Sequence, residues 1–421
     1  VTHIYASFFV FYLLNKNIKS NYTYFMKKSI STFLKQPSKD NANRSANPPV
    51  IRASTILFNS MQEMIQHEKK IKSHKSVTHY TYGRFGSTTT IELENLIKKL
   101  EEAYHVFLTG TGFGGISLAL MSLCRPGDEI LVSDNVYGPT REISEVLLKE
   151  FNINAKFYNP EKFEDLKNKV TNKTKMILVE NPGSNTFEFQ DLSKIVKLAK
   201  SKNILTLLDN TWGTPLYLKP LKIGFDMSFS SATKYFSGHS DAMGGTLSVN
   251  KKVFKKIMFF YKLSGYRMSA DEAYLIIRGL RTLDTRLKQH YENTKEVISF
   301  LKNQKKIKEI LYPHKPSSKN YKLWKKYYSG ATGLLSIVIK SKSKTSVIKF
   351  VNSLELFGIG YSWGGFESLA ILQELRKKTE YTNGRQYYRF NKDEYIVRLH
   401  IGLEDPKDLI FDLKNSLKYI K

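Results

Sequence analysis

From His105 to Val249 the chain alternates short, unbroken apolar runs with stretches of helical period. The runs read as strands at His105–Thr109, Glu129–Ser133, Ala155–Tyr158, Lys175–Glu180 and Ile204–Asp209, with shorter ones near Asp226–Ser230 and Gly245–Val249. Helical stretches fall between them at Gly112–Leu123, Thr140–Phe151 and Leu192–Ser201. A strand with no polar alternation is buried on both faces, and strands separated by helices pair in parallel. The pattern therefore demands an α/β fold with a mostly parallel sheet covered on both sides.

Beyond this region the rhythm changes. A long helical stretch runs from about Lys251 to Gln304. Strands at Leu334–Ile339 and Tyr395–Leu403 and helices at Ser346–Leu354 and Asp408–Ile420 follow, and they read as a smaller α+β domain. No internal repeat is evident. The expected division is an extension over residues 1–28, an arm over 29–85, a large domain over 86–285 and a C-terminal domain over 286–421. The apolar run Ile4–Leu14 is too short to span a bilayer, and its lysines follow it where a signal peptide would have them first. The stretch is expected to lie upstream of a start at Met26 and to be non-native or disordered. The polar segment after it, broken by Asn47-Pro48-Pro49, reads as extended.

Composition narrows the function classes. The 66 basic and 38 acidic residues leave a net charge of +28. The lysines are spread along the chain, with local clusters at Lys302–Lys308, Lys319–Lys326 and Lys340–Lys344. None carries the aromatic pattern of a single-strand-binding sheet, so neither nucleic acid nor membrane is an expected partner. The one cysteine, Cys124, excludes an internal disulfide and a cysteine zinc site, and makes a reducing, cytoplasmic setting the default. His67, His74 and His79 have no metal-ligand spacing and read as a solvated helix face, so no metal is expected.

Two constellations carry chemistry. Thr109-Gly110-Thr111-Gly112-Phe113-Gly114-Gly115 follows a strand and opens a helix, with Asp134 placed 19 residues beyond Gly115. On spacing alone it fits a dinucleotide fingerprint, but backbone amides at a helix N-terminus bind any phosphate. The second constellation separates the ligands. Asp209 ends a strand, where parallel sheets place their ligands, and Lys234 follows 25 residues later, just after the hydroxyls of Ser231 and Thr233. A phosphate cradle, a buried acid and a reactive lysine are the three needs of pyridoxal 5'-phosphate (PLP): the acid keeps the pyridine nitrogen protonated and the lysine attaches the aldehyde. A nicotinamide needs neither the acid nor the lysine here. His239-Ser240-Asp241 holds the residue types of a hydrolase triad, but adjacent residues cannot adopt its geometry.

Five segments resemble the Cys/Met-metabolism PLP enzymes of fold-type I. They are Tyr82-Gly83-Arg84-Phe85-Gly86, Val136-Tyr137-Gly138-Pro139-Thr140, Glu180-Asn181-Pro182-Gly183-Ser184, Leu208-Asp209-Asn210-Thr211-Trp212 and Ser231-Ala232-Thr233-Lys234-Tyr235. The resemblance runs from about Asn47 to Leu417. It implies a mostly parallel seven-stranded sheet in a large domain plus a smaller C-terminal α+β domain. Within the family, Gly360-Tyr361-Ser362-Trp363-Gly364-Gly365-Phe366-Glu367-Ser368-Leu369 is similar to the β-lyase version of that loop.

The resemblance also implies roles. Lys234 carries PLP and acts as the base, Asp209 pairs with the ring nitrogen, and Tyr137 stacks on the ring. Gly112, Phe113, Ser231 and Thr233 hold the phosphate, and Asn181 lies near the cofactor. Tyr82 and Arg84 reach the phosphate of the neighbouring subunit, so the minimal active unit is a homodimer, paired into a homotetramer. Arg398 binds the substrate carboxylate, with Ser362 and Trp363 beside it. Periodicity supports Arg398 independently, because Val397, Leu399 and Ile401 alternate with Arg398 and His400. Two positions depart from the family's usual residues, Gly110-Thr111 and His400. The implied activity is β-cleavage of a carbon–sulfur bond, with L-cystathionine giving homocysteine, pyruvate and ammonia in methionine biosynthesis. A γ-acting relative would share every cofactor residue, and a nicotinamide oxidoreductase rests on the glycines alone.

Overall fold

The computed structural model describes residues 29–37, 45–72, 80–375, 383–387 and 389–421. His74 and His79 lie outside them, as does the expected extension over 1–28. The described residues fall into two units, one ending at Asn47 and one running from Pro48 to Lys421. The first contains the short helix Ile30–Leu34, where an extended arm was expected. Ser29 caps it by accepting the Thr32 amide.

The second unit holds two sheets. Seven strands form the larger: β1 (His105–Thr109), β2 (Glu129–Ser133), β3 (Asn154–Tyr158), β4 (Thr174–Glu180), β5 (Leu205–Asp209), β6 (Met227–Ser231) and β7 (Gly245–Val249). Their order is β1-β7-β6-β5-β4-β2-β3. The pairs β2–β3, β2–β4, β4–β5 and β5–β6 are parallel, and β7 alone runs against its neighbours β1 and β6. The sheet is thus mostly parallel, as the unbroken apolar runs required. Its residues alternate between two cores. Ile130, Val132 and Leu207 face one, with Ile116 and Leu120; Leu131, Val179 and Leu208 face the other.

The second core continues into the smaller sheet of β8 (Ile307–Leu311), β9 (Leu334–Lys340), β10 (Leu369–Gln373) and β11 (Glu394–His400). That sheet is wholly antiparallel, in the order β10-β11-β9-β8. Leu335, Ile337, Val397 and Leu399 all enter the shared core, each contributing about 1.5–3 kcal/mol by leaving water. β8 and β10 lie at the two edges and were not expected from sequence. Their residues are only partly buried, so a two-residue period is hard to see.

Four helices pack against the sheets. α1 (Thr88–Glu101) opens with a capping box between Ser87 and Thr90. α2 (Gly112–Leu123) packs against β6 and β7. The expected single stretch over 251–304 is broken at Gly265 and around Arg281, giving among its pieces α3 (Lys251–Ser264) and α4 (Leu283–Leu301). Gly265 takes the left-handed conformation that closes a helix. The expected helix over 140–151 instead contains a π turn at Ile143–Leu147 between two short α segments.

Candidate active site

The carboxyl ends of β4, β5 and β6 meet the N-terminus of α2 at a cavity of about 350 Å³. Thr111, Gly112, Phe113, Tyr137, Glu180 and Asp209 contribute to its wall, together with Ser231, Thr233, Lys234 and Trp363. This is where open parallel sheets place ligands.

The glycine segment builds an anion cradle. Thr111 is the N-cap of α2, and its hydroxyl takes the Gly114 amide at 3.1 Å. The amides of Gly112 and Phe113, in the first turn, have no intrahelical acceptor and are available to an anion. Ser231 stands across from them. A Cβ on Gly112 would come within 2.4 Å of Ser231 Oγ, so only glycine leaves the cradle open. The Thr233 hydroxyl accepts from the Gly244 amide at 3.0 Å, which orients it at the cavity wall. The spacing that fitted a dinucleotide fails at its acid. One Asp134 oxygen takes the guanidinium of Arg141 and the other the Tyr387 amide at 2.8 Å, so neither is free for a ribose.

Asp209 ends β5 in the wall of the cavity. Its Oδ1 accepts from the amide and hydroxyl of Thr211, at 2.9 and 2.6 Å. Its Oδ2 has no hydrogen-bond partner among the described residues. Burial raises the Asp209 carboxyl above its usual range, against the Thr211 bonds and the attraction of Lys234. A cation against Oδ2 would reverse that shift, which suits a protonated pyridine nitrogen.

Lys234 lies in the loop between β6 and β7. The Ala232 amide bonds the Gly244 carbonyl at 2.8 Å, pinning the loop at its base. Lys234 Nζ donates to Ser362 Oγ at 2.6 Å and lies 5.5 Å from the centre of the Trp363 ring. Burial lowers the Lys234 pKa to about 8; Arg398 pushes the same way and Asp209 opposes. Ser362 and Trp363 precede β10, so the smaller sheet supplies this wall. Gly364 has φ +90, and a Cβ there would meet the Lys234–Tyr235 backbone at about 3 Å. Glycine is what lets this loop lie on the lysine.

Arg398 is central on β11, in register with Ser336 and Ile371. It donates to the Ser362 carbonyl at 2.9 Å. His400 shares its face but is buried, with Nδ1 at 2.9 Å from the Glu367 carbonyl and a pKa pushed down by burial. Tyr137 follows β2 and caps the short helix Gly138–Glu142. Its amide donates to Glu180 Oε2 at 2.6 Å and its ring is about half exposed. Glu180 is a cavity residue that opens one of the five quoted segments but was given no role. The available signal was that it ends β4 as Asp209 ends β5.

Three expected residues sit elsewhere. Asn181 does not line the cavity: its carboxamide donates to Tyr328 Oη at 2.9 Å and accepts the Gln190 amide at 2.7 Å. Tyr82 pairs with Thr55 in an isolated bridge, and Arg84 lies over the Phe85 ring with Nη1 3.4 Å from the Lys262 carbonyl. Neither lines the cavity of its own chain. In the His239-Ser240-Asp241 segment, His239 bonds the Ser237 carbonyl and Ser240 bonds Glu367, so no triad forms.

An α/β sheet that presents an open anion cradle, a buried aspartate and a half-buried lysine of lowered pKa at one edge defines a fold-type I pyridoxal phosphate enzyme. The family model for the Cys/Met metabolism PLP-dependent enzymes matches residues 31–418, and the chain belongs to that family. A putative cystathionine beta-lyase of Rhizobium johnstonii is 37% identical over 374 residues, 88% of this chain and 90% of that protein. An L-alanine/L-glutamate racemase of Wolbachia pipientis is 34% identical, covering 89% and 92%. Among solved structures, a cystathionine gamma synthase of Xanthomonas oryzae in complex with cystathionine superposes with a TM-score of 0.82 at 26% identity, covering 93% of this chain and 98% of that one. The nicotinamide reading is therefore excluded. Among the described residues no cluster could hold a metal ion, and no helix is long and apolar enough to cross a membrane.

Proposed function

We propose that this chain is a carbon–sulfur β-lyase that cleaves L-cystathionine to homocysteine, pyruvate and ammonia, in methionine biosynthesis. The observation that carries the reading is the chain of contacts from Lys234 Nζ through Ser362 to Arg398, with Lys234 and Asp209 lining one cavity. The Ser362-Trp363-Gly364-Gly365 loop and the lyase relative in Rhizobium support the same choice.

In this reading the Gly112 and Phe113 amides and the hydroxyls of Ser231 and Thr233 hold the phosphate. Asp209 holds the proton on the ring nitrogen and Lys234 provides the covalent attachment. When bound, the cofactor supplies an electron sink for the bonds at the substrate α-carbon. Arg398 grips the α-carboxylate with its fork and fixes which α-bond faces Lys234. The Lys234 amine, uncharged above about pH 8, takes the α-proton at Nζ. Ser362 Oγ holds that amine between attachment and proton transfer. Loss of the α-proton and of the β C–S bond expels homocysteine thiol, and water completes the conversion of the three-carbon remainder to pyruvate and ammonia.

The minimal active unit in this reading is a homodimer, paired into a tetramer, in the cytoplasm. Tyr82 and Arg84, outside their own cavity, reach the phosphate of the neighbouring chain. The arm is then 29–85, the large domain 86–285 and the C-terminal domain 286–421. Product analysis tests the activity. Purified enzyme given L-cystathionine should release pyruvate. Release of 2-oxobutyrate would assign γ-cleavage instead. Conversion of L-alanine to its enantiomer without pyruvate from cystathionine would assign the racemase chemistry of the Wolbachia relative.

A further inference from the structure

Asp209 is not the only carboxyl at this end of the sheet. Glu180 ends β4 and is the register partner of Asp209 on β5. Adjacent strands lie about 4.8 Å apart, so the two carboxyls leave the sheet as neighbours. Both line the cavity. Two carboxylates sharing one low-dielectric site cannot both be ionised cheaply, and the group with the better cationic partner keeps the charge.

The partners differ. Asp209 Oδ1 receives two hydrogen bonds from Thr211, and the Lys234 charge favours its ionised form. Glu180 Oε2 receives one, from the Tyr137 amide, and its Oε1 has no partner among the described residues. The charged groups that face Glu180 are Asp209 on β5, Glu188 in the loop after β4, and Arg385 in the segment between β10 and β11. Arg385 spends its guanidinium on the Thr186 hydroxyl and the Ser184 carbonyl, and forms no ion pair with Glu180. Burial and the two neighbouring carboxyls therefore outweigh one cation that is engaged elsewhere.

We propose that Glu180 works as an uncharged carboxylic acid. One oxygen anchors the Tyr137 backbone and the other presents a hydroxyl to the cavity, leaving Asp209 as the single negative charge of this wall. Glu180 is then a positioning residue. It fixes the Tyr137 loop at the mouth of the site without competing for the proton that Asp209 must hold on the ring nitrogen. The direction of its pKa agrees, since burial and then Asp209 raise it well above the carboxylate range. The inference rests on the cofactor site and is independent of which sulfur amino acid is cleaved.

The amide isostere separates this from a merely structural or an ionised glutamate. Glu180→Gln keeps an acceptor for the Tyr137 amide and a donor toward the cavity. It should hold PLP and its visible absorption as the wild type does, and turn over within about threefold of it at pH 7. Glu180→Ala should bind PLP more weakly and lose on the order of thirtyfold in turnover. The wild type should also lose activity at high pH as Glu180 ionises, and Glu180→Gln should lack that limb. A Gln variant as impaired as the Ala variant, or an Ala variant like wild type, overturns the proposal. Infrared difference spectra of wild type and Glu180→Gln in the PLP-bound state test it without the Ala variant. A protonated carboxyl band missing from the Gln variant supports it. A carboxylate band missing there at pH 7 refutes it, whatever the substrate proves to be.

Discussion

Lys234 Nζ and Ser362 Oγ lie 2.6 Å apart although 128 residues separate them in sequence. One comes from the loop between β6 and β7, the other from the loop ahead of β10. The same Ser362 accepts Arg398 through its carbonyl. The site is therefore shared between the two sheets, and a single serine links the attachment lysine to the arginine expected to grip the carboxylate.

Lys234→Ala should abolish turnover, a fall of more than about a thousandfold, or roughly 4 kcal/mol. The cradle at α2 does not involve this side chain, so the variant should still fold and retain PLP, now removable by dialysis. Absorbance before and after dialysis, with pyruvate release, decides it. Near wild-type lyase activity would show that Lys234 is not the reactive amine.

Asp209→Asn keeps the shape and the Thr211 contacts but removes the charge. The ring nitrogen then loses its proton-holding partner, and kcat should fall on the order of a thousandfold with a modest change in PLP affinity. A fall below about tenfold, roughly 1.4 kcal/mol, would make Asp209 a structural residue.

The lysine gives a pH signature. In the PLP-free enzyme its pKa is lowered to about 8, so the reactive neutral amine is present above that pH and disappears below it. The rate of PLP recapture should rise through a midpoint near 8. Arg398→Ala removes a cation that lowers this pKa, so the midpoint should move up. Asp209→Asn removes a carboxylate that raises it, so the midpoint should move down. Stopped-flow absorbance across pH measures all three. A midpoint near the ordinary lysine value, unmoved by either variant, would contradict the burial assigned to Lys234.

Subunit mixing tests assembly. Arg84→Ala and Lys234→Ala chains should each be inactive. A mixed dimer in which Arg84 serves its neighbour has one site with both lesions and one with neither, so part of the activity should return on exchange. Demonstrated heterodimers with no recovery would mean that Arg84 serves its own chain or no site.

What was legible follows from which residues carry an unambiguous period. The strands of the large sheet are buried on both faces, so their apolar runs marked them to within a residue or two, and Asp209, Lys234 and the glycine cradle stood out at their ends. Gly112 and Arg398 could be read from local pattern alone. The edge strands Ile307–Leu311 and Leu369–Gln373 could not, since an edge needs little apolar surface. Glu180 stood at the head of a quoted segment, yet its role was hidden for another reason. Its meaning comes from lateral pairing with Asp209, 29 positions away, and register across a parallel sheet leaves no mark on either strand. Asn181 shows the reverse: its motif pointed to the cofactor, while its carboxamide is engaged by Tyr328 and Gln190.

The reversed strand β7 has a mechanical consequence. Had β6 been followed by another parallel strand, a long crossover would have taken the chain back to the far edge of the sheet, and the segment bearing Lys234 would have been tied to the ligand edge at its start only. Because β7 turns straight back, Ser231 and Gly245 face each other as the two posts of a short tether, and Lys234 swings between them. An amine that must let go of one partner and return to it at every cycle is thus held by a leash tied to the sheet at both ends, Ser231 to Gly245 and the Ala232 amide to the Gly244 carbonyl.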